Sequence, residues 1–445
     1  MPYYIRLLKS PTIDHDITKS KRTRTNTTRQ QGQTKIRLTF TCQTDLGDTY
    51  YNENVLVTVR LVSDTFPRTQ IASGKVAWNK GDRVRSVLVT LNWHQELDLA
   101  SKHWILLEAG STKGSADVFR GPPLGFCGDV LSAECMPEII SVLAPLLVDG
   151  QDLTQWGTLF PQCRVLRQFS LATQLPTSKI DSNSPGKDKD IEVSVYEEMG
   201  ESIARHIWDA ALGLLASCME KPVFGENPET HMHQLPKLLM PYFDISARNA
   251  KGDLEILELG SGCGIVGLSL ARLVPSARFV LTDLPEALEI LDENASRIVE
   301  LGLAPGTSVA TKVLDWNWSL ENTLPAANTD GGIYLSLAEL RPDLVIVSDC
   351  TYNPSSFQAL VATLLQTVRQ GHEHNPREEH MKLDVLISYK SRHESESRFF
   401  DDMLNLGFHV LSHKKVKFPD RTRELVGLDV ENAEIFAFAW QNPSN

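Results

Sequence analysis

The chain has 445 residues, more than one average domain holds, so two domains are expected. Its 42% hydrophobic and 22% charged residues are typical of globular proteins, and its net charge of -12 disfavours nucleic-acid binding, which requires excess Lys and Arg. Seven cysteines without a Cys-x-x-Cys pair disfavour a zinc site and a disulfide framework. No apolar run approaches the roughly 20 residues that cross a bilayer. We therefore expect a monomeric cytoplasmic protein, with the nucleus as a second compartment, and no metal or membrane partner.

The first 175 residues predict a β-rich domain. Apolar and polar residues alternate around Ile36–Phe40, and β-branched runs recur to about residue 110 between turns that contain glycine. Residues 10–34 are polar and basic and predict a mobile segment, whereas residues 137–148 predict a helix. Residues 176–192 are rich in Ser, Asp and Lys and predict a linker. The second domain is expected to span residues 193–445.

The second domain predicts alternating helices and strands. A helix is expected over Glu198–Met219, and the alternation that begins near residue 253 is typical of a mostly parallel sheet covered on both faces. The expected strands are Leu254–Leu259, Arg278–Thr282, Ser308–Val313, Leu344–Ser348 and Leu383–Tyr389, with Phe408–Lys415 and Ala433–Trp440 as a closing hairpin. The expected helices follow the glycine turn to Leu273 and span Pro285–Leu301, Ser355–Arg369 and Ser395–Leu406. The fold class is therefore α/β, Rossmann-like, preceded by the smaller β-rich domain.

A glycine-rich turn follows the strand Leu254–Leu259 and reads Glu258-Leu259-Gly260-Ser261-Gly262-Cys263-Gly264. Glycine adopts backbone angles closed to other residues and leaves room for a ligand, and ligands of this fold class lie beyond the carboxyl ends of the strands. The spacing Gly262-x-Gly264-x-x-Gly267 also satisfies the dinucleotide fingerprint. The turn alone therefore fits two cofactors, and a plain tight turn is a third interpretation.

Residues around the turn favour S-adenosylmethionine. Glu258 suits the cationic amino-acid end of that cofactor and would repel a pyrophosphate. Asp315 and Trp316 follow the third strand, where an acceptor and an aromatic ring could face adenine. Asp283 ends the second strand and can accept both ribose hydroxyls, but NAD predicts the same acid at that position.

Four segments in order resemble methyltransferase family 16, the lysine methyltransferase 21-like group of seven-β-strand enzymes, in a fungal-type form with an N-terminal extension. They are Gly200–Ala210, the glycine turn, Val313–Trp316 and Asp343–Asn353, the last of which contains the family's Asp-x-x-Tyr signature. The resemblance covers residues 193–440. It implies a seven-stranded class I methyltransferase domain that acts as an S-adenosylmethionine-dependent protein-lysine N-methyltransferase. The chain departs from many relatives in its long N-terminal half and in Asn317-Trp318, where glycine is frequent.

The resemblance also implies roles for individual residues. Cofactor contacts are expected from Trp208, Gly260, Gly262, Asp283, Trp316 and Ser348, and the full cofactor set adds Glu258, Ser261, Gly264, Leu284 and Asp315. Asp349 and Tyr352 would line the lysine channel as the catalytic pair. Lysine must lose a proton before it attacks the methyl group, because its unperturbed pKa is about 10.4 and the ammonium has no lone pair. Asp349 would hold and orient the amine, and water suffices as the proton acceptor.

Three site residues also have structural interpretations. Asp349 could cap a following helix, and Trp208 could simply pack in a core. Cys350 is expected to fill space rather than to act as a nucleophile, because no base is evident beside it.

Two further groups of residues are expected to be unremarkable surface features. Arg392 and Glu396 are four residues apart at a helix start and predict a surface ion pair. His372, His374 and His380 lie among acidic residues and predict a solvated, charged loop.

The expected partner is a cytosolic protein that carries the target lysine, with a translation elongation factor or a chaperone as first candidates from the resemblance. An NAD-linked oxidoreductase stays an alternative because the glycine turn satisfies its fingerprint. A nucleic-acid or small-molecule methyltransferase would share the fold, although Asp349–Tyr352 lacks the Asn/Asp-Pro-Pro-aromatic run that grips a base amine. A non-catalytic binding module is the fourth interpretation.

Overall fold

The structure is a computed structural model of the chain. It describes residues 2–14, 32–63, 70–93, 103–109, 129–131, 139–146, 164–171, 191–198, 203–220, 235–243, 254–321, 334–374, 383–418 and 432–442.

The N-terminal part is a sheet of mostly antiparallel strands. In the described residues its strands are β1 (Tyr3–Asp14), β2 (Gly32–Gln43), β3 (Val55–Ser63), β4 (Gln70–Trp78), β5 (Arg85–Trp93), β6 (His103–Ala109), β7 (Asp129–Leu131), β8 (Ile139–Ile140), β9 (Val142–Pro145), β10 (Arg164–Leu171) and β11 (Ile191–Glu198). Their order is β11-β10-β9-β6-β3-β4-β5-β2-β1-β8, with β7 beside β10. Only Ser141 separates β8 from β9, so the strand path returns on itself as a barrel. Phe40, Leu61 and Trp78 are fully buried in its core.

Two expectations for the N-terminal part are wrong. Residues 137–148 do not form the predicted helix in their described portion, because β8 and β9 occupy residues 139–145. Residues 142–145 are all buried, and a strand buried on both faces shows no alternation that distinguishes it from a helix. Residues 10–14 and 32–34 of the predicted mobile segment are instead strand, since β1 extends to Asp14 and β2 begins at Gly32. Residues 15–31 lie outside the described residues.

The C-terminal part contains a second sheet and its helices, which confirm the predicted α/β class. Its described strands are β12 (Leu254–Leu259), β13 (Ala277–Asp283), β14 (Ser308–Val313), β15 (Leu344–Ser348), β16 (Val385–Lys390), β17 (Phe408–Lys417) and β18 (Asn432–Trp440). The order is β14-β13-β12-β15-β16-β18-β17, with β18 antiparallel to both neighbours and the other pairs parallel. This is the strand order of a class I methyltransferase domain.

Helices cover both faces of this sheet. They are α1 (Asp209–Cys218), α2 (Leu235–Phe243), α3 (Ile265–Ala271), α4 (Pro285–Leu301), α5 (Asn317–Glu321), α6 (Phe357–His374) and α7 (Ser397–Asn405). Ile256 of β12 packs in the same core as α1, α3 and α4, whereas the next residue, Leu257, packs with α6 and α7. This alternation follows from the two-residue repeat of a strand, and it leaves the carboxyl edge of the sheet open between the layers.

The junction between the two parts departs from the predicted helix at Glu198–Met219. Residues 191–198 form β11, which pairs with β10 along its whole length, and in the residues described between β11 and α1 there is a short 3-10 turn at Ile203–Arg205. The predicted domain boundary at residue 193 therefore falls inside a strand of the barrel. The remainder of the predicted linker, residues 176–190, lies outside the described residues.

One hydrophobic core extends across the junction. Phe169 and Val195 of the barrel belong to the same buried cluster as Leu212 of α1 and Leu268 of α3. Asn294 of α4 is fully buried and binds the β11 backbone, with its Oδ1 2.7 Å from Tyr196 N and its Nδ2 3.0 Å from Tyr196 O. Among the described helices, none is long and apolar enough to span a bilayer.

Candidate active site

The glycine turn after β12 has the backbone conformation that its sequence predicts. Gly260, Gly262 and Gly264 have φ angles of +66°, +55° and +78°, a region that other residues rarely adopt. A Cβ at Gly260 would overlap Cys350 Sγ and lie 3.2 Å from the Trp316 ring. The turn therefore packs against the ends of two other strands and needs glycine for both angle and space.

Two buried acidic side chains accept hydrogen bonds from backbone N–H groups in and just after this turn. Glu258 Oε2 accepts a hydrogen bond from Gly267 N at 3.1 Å, in the first turn of α3. Asp283 Oδ2 accepts from Gly262 N at 2.7 Å, and its Oδ1 accepts from Leu284 N at 2.7 Å. Burial raises the pKa of Glu258 to about 8 and that of Asp283 to about 6, and the backbone donors only partly offset this. An N-terminal amide of α3, where a dinucleotide would place its pyrophosphate, is thus already occupied by the carboxyl group of Glu258.

A cavity of about 620 Å³ opens beside the turn at the carboxyl edge of the sheet. Twelve of the thirteen predicted site residues line it: Trp208, Glu258, Gly260, Ser261, Gly262, Asp283, Leu284, Asp315, Trp316, Ser348, Asp349 and Tyr352. Gly264 is directed elsewhere, since a Cβ there would overlap Leu291 and Leu268 inside the protein. Its structural task is to begin α3 with a left-handed angle.

Asp349, which is predicted to hold the substrate amine, follows β15 and forms an ion pair with an arginine. Its Oδ1 lies 2.5 Å from Arg392 Nη1 and its Oδ2 lies 2.7 Å from Arg392 Nη2. Asp349 is 6% exposed and has a φ of +56°, which Asp and Asn tolerate better than most residues. Asp349 lines the cavity, whereas Arg392 is not among the described residues of the lining. Arg392 therefore binds the carboxylate from outside the cavity lining, to which Asp349 itself belongs. Asp349 Oδ1 also accepts from Lys390 N at 3.4 Å.

The predicted surface ion pair of Arg392 with Glu396 is wrong. The guanidinium binds Asp349, while Glu396 accepts from the backbone N–H of Arg392 at 3.3 Å. Burial would lower the pKa of Arg392, but the hydrogen bond and charge of Asp349 and further carboxylates raise it. The Arg392 guanidinium also lies 5.4 Å from the centre of the ring of Trp208, which lines the cavity together with Asp349.

Tyr352 and Cys350 complete this end of the cavity. Tyr352 is 51% exposed at the rim, and partial burial together with nearby Cys350 and Asp283 raises its pKa, so the hydroxyl keeps its proton and can donate. The Cys350 thiol is buried 3.3 Å from Ser348 O, and burial raises its pKa well above the ordinary value, which opposes a nucleophilic role. The helix cap that was considered for Asp349 is supplied by Asn353, whose side chain accepts from Ser355 N at 3.1 Å.

The described lining is acidic. Its acidic residues are Glu258, Asp283, Glu286, Asp315 and Asp349, and it contains no Lys or Arg. Glu258 adds little negative charge at neutral pH, because burial raises its pKa to about 8. Such a lining repels phosphate groups and attracts cations. The cavity therefore fits S-adenosylmethionine, which carries a sulfonium and an α-ammonium, better than a dinucleotide. Trp316 adds a flat aromatic surface suited to adenine, beside Asp315, whose Oδ1 accepts from Asn317 N at 2.9 Å.

Comparison with known proteins agrees with this geometry. Residues 187–405 match the family described as Lysine methyltransferase. This region of the chain is similar to the lysine methyltransferase family. The predicted family is thus confirmed, and the matched region includes β12 to β16 and every residue of the cavity.

Several curated proteins are similar to this chain. A UPF0665 family protein of Schizosaccharomyces pombe is 30% identical over 47% of this chain and 49% of its own length. Protein-lysine N-methyltransferase EEF2KMT of Homo sapiens is 25% identical over 35% and 38%, and protein-lysine N-methyltransferase EFM6 of Saccharomyces cerevisiae is 27% identical over 35% and 57%. The chain thus spans about half the length of these relatives.

Sequence reasoning missed several residues of the candidate site. The cavity is also lined by Ile203, Ala204, His206, Glu286, Leu314 and Ala359. Ile203 and Ala204 come from the 3-10 turn before α1 and His206 follows it, and all three lie within Gly200–Ala210, a segment that the resemblance had already marked. Arg392 left no such signal, because its partner Asp349 is 43 residues away in the chain.

The histidines near the end of α6 do not form the predicted loop. His372 and His374 lie within α6, and His372 Nε2 is 2.7 Å from Asp384 Oδ1 with its ring packed on Trp440. His380 lies outside the described residues. Among the residues described, no group of three or more His, Cys, Asp or Glu side chains is arranged to hold a metal ion.

Proposed function

We propose that this protein is an S-adenosylmethionine-dependent protein-lysine N-methyltransferase. Its substrate would be the side-chain amine of a lysine in a cytosolic protein. The observation that carries the proposal is the placement of Asp349. Its carboxylate lines an acidic cavity at the carboxyl edge of the sheet, and the arginine that compensates its charge lies outside the described lining. A buried carboxylate that lines a cavity can accept hydrogen bonds from an amine, which has N–H donors to offer.

Cofactor contacts are assigned to the predicted residues that line the cavity, from Trp208 to Ser348. Glu258 and Asp283 offer oxygen acceptors at the glycine turn, and Trp316 offers an aromatic ring in the same cavity. Bound S-adenosylmethionine would supply an activated methyl group. The chain's own residues then need only to position the amine and exclude competing water, because positioning alone accounts for a large share of rate enhancement.

Asp349 and Tyr352 are assigned to the amine. Lysine attacks as the neutral amine, and an unperturbed lysine has a pKa of about 10.4. Asp349 accepts hydrogen bonds from the two N–H groups of that amine and thereby directs its lone pair into the cavity. Tyr352, half exposed at the rim, forms a wall where a protein substrate would enter. A translation elongation factor is the first substrate to examine, as the resemblance suggests.

Label transfer tests the proposal. The pure chain is incubated with methyl-labelled S-adenosylmethionine and a cytosolic extract, and the labelled band is identified by mass spectrometry. We expect label on lysine that survives nuclease and is lost with protease. Label lost with nuclease would instead indicate a nucleic-acid methyltransferase.

Calorimetric titration tests the cofactor separately. We expect S-adenosylhomocysteine to bind and NAD to give no heat of binding, because the acidic lining opposes the pyrophosphate. Binding of NAD with no binding of S-adenosylhomocysteine would overturn the proposal.

A further inference from the structure

Asp45 belongs to the barrel, yet it reaches the active-site arginine. It lies in the loop after β2, where its Oδ2 accepts from Arg392 Nη2 at 3.0 Å. Its Oδ1 accepts from Lys390 Nζ at 3.2 Å and from Leu46 N at 2.9 Å. The carbonyl of Asp45 is held in turn by Arg6 of β1, with Nη2 at 2.7 Å. The loop therefore presents a fixed carboxylate, braced from β1, to the end of β16.

The contacts continue into the helix layer. Lys390 Nζ also binds Asp209 Oδ2 at 2.9 Å, and Asp209 Oδ1 accepts from Tyr4 OH at 2.9 Å. An unbroken series thus runs from Tyr4 of β1 through Asp209, Lys390 and Asp45 to Arg392 and on to Asp349. It crosses the boundary between barrel and methyltransferase sheet three times.

This series is shielded from water. The side chains of Asp45 and Asp209 are 0% exposed and that of Lys390 is 3% exposed. Burial alone would raise the pKa of Asp45, but Lys390 and Arg392 outweigh it and lower that pKa. Ion pairs on a surface contribute little because water and salt compete for them, whereas a charge buried in such a series is tightly constrained by its partners.

We propose that Asp45 is a positioning residue for Asp349: by holding the Arg392 fork on the barrel side, it fixes the direction in which Asp349 presents its lone pairs to the substrate amine. The inference rests on the proposed function. It gives the N-terminal barrel a role in positioning a residue of the active site.

The geometry of Arg392 supports this assignment. A guanidinium is a rigid planar fork, so one more contact at Nη2 restricts rotation about the whole side chain. Without Asp45, Arg392 would keep Asp349, which it is meant to orient, and a longer hydrogen bond from Nη1 to Lys390 O at 3.3 Å, so its guanidinium would be held less firmly. The Trp208 ring that lies 5.4 Å from the guanidinium would lose its support as well.

The test compares Asp45→Asn with Glu108→Gln. Glu108 is a matched control, because it is a largely buried barrel carboxylate paired with an arginine, Arg60, at 2.5 Å. Rates of label transfer to the protein band found with the wild-type chain are measured against S-adenosylmethionine concentration, and active sites are counted by S-adenosylhomocysteine binding. For Asp45→Asn we expect kcat to fall roughly tenfold to a hundredfold with cofactor KM within about twofold, since small misplacements of a reacting group have effects of this order. Glu108→Gln should keep wild-type kcat.

A second variant covers the case in which Asp45→Asn does not fold. Arg392→Lys keeps the positive charge but cannot bind both oxygens of Asp349 and Asp45 at once, so the same fall in kcat is expected. Wild-type kcat in either folded variant, even with a lowered melting temperature, would show that the series is structural only and would overturn the inference. A wild-type chain that labels no protein contradicts the proposed function itself, and this result is visible without any variant.

Discussion

The Arg392 guanidinium binds both carboxylate oxygens of Asp349, with Nη1–Oδ1 at 2.5 Å and Nη2–Oδ2 at 2.7 Å. Asp349 comes directly after β15 and Arg392 two residues after β16, and these strands are parallel neighbours. Their carboxyl ends therefore meet at the edge of the sheet where the cavity opens. The pair joins the chemistry of the site to the strand order of the fold.

Removal of one partner of this ion pair should be costly. Arg392→Gln leaves the buried carboxylates of Asp349 and Asp45 without their shared cation, and uncompensated buried charges of this kind cost about 3–5 kcal/mol. Urea unfolding should show a loss of that order. Arg398→Gln is the control, since its side chain is 72% exposed and should change stability by less than about 0.5 kcal/mol. Equal effects of the two changes would contradict the arrangement.

Asp349→Asn should separate catalysis from folding. Asparagine tolerates the φ of +56° at this position, whereas alanine would add backbone strain, so the amide variant is the cleaner test. We expect binding of S-adenosylhomocysteine within a fewfold of wild type and a loss of label transfer of about a hundredfold. The matched change Asp292→Asn, at an exposed site on α4, should leave transfer intact. Full activity of Asp349→Asn would remove Asp349 from its assigned role.

Glu258 should make stability depend on pH. Its pKa is about 8 in the folded chain because of burial, and near 4.3 in an unfolded chain. A group with a raised folded pKa contributes stability that is fully present below the unfolded pKa and is lost as pH rises through the folded pKa. Between pH 5 and 9 the unfolding free energy of the wild type should therefore fall more than that of Glu258→Gln, which does not titrate. Parallel curves in urea unfolding at pH 5.5, 7 and 8.5 would contradict the raised pKa.

Gly260 should tolerate no side chain. Alanine there combines an unfavourable φ of +66° with overlap against Cys350 and Trp316, and we expect S-adenosylhomocysteine binding to be lost. Gly302→Ala is the control for backbone strain, because Gly302 has a φ of +98° but nothing within 4 Å of an added Cβ. That control should be destabilised by about 1–2 kcal/mol and still bind. If calorimetry showed that Gly260→Ala binds S-adenosylhomocysteine with wild-type affinity, the turn would have space for a side chain and the prediction would be wrong.

Much of the methyltransferase sheet was predictable because its strands are local and strongly patterned. The predicted bounds Leu254–Leu259, Ser308–Val313 and Leu344–Ser348 match β12, β14 and β15 residue for residue. The turn glycines and the acids that follow each strand mark the cavity for a similar reason, since the fold brings all strand ends to one edge.

The remainder depends on contacts between distant residues. In the sequence, Arg392 and Glu396 have the spacing of an ordinary helical ion pair. Asp349 becomes the partner of Arg392 because β15 and β16 are neighbours in the sheet. Asp45 is more than 300 residues from Arg392, and composition alone cannot reveal such a pairing. The strand β11 was missed because its partner β10 lies across residues 172–190, so no hairpin signal marks it.

Strand β11 has a consequence for how the two halves can be separated. Cutting the chain at residue 193 would break a ladder of eight paired residues, expose one edge of β10, and uncover apolar side chains such as Leu212 and Leu268 that now share a core with Phe169. An excised catalytic half would therefore tend to aggregate in the test tube. For the same reason, a gene truncation that kept every predicted cofactor residue would still remove part of the hydrophobic core that the two halves share.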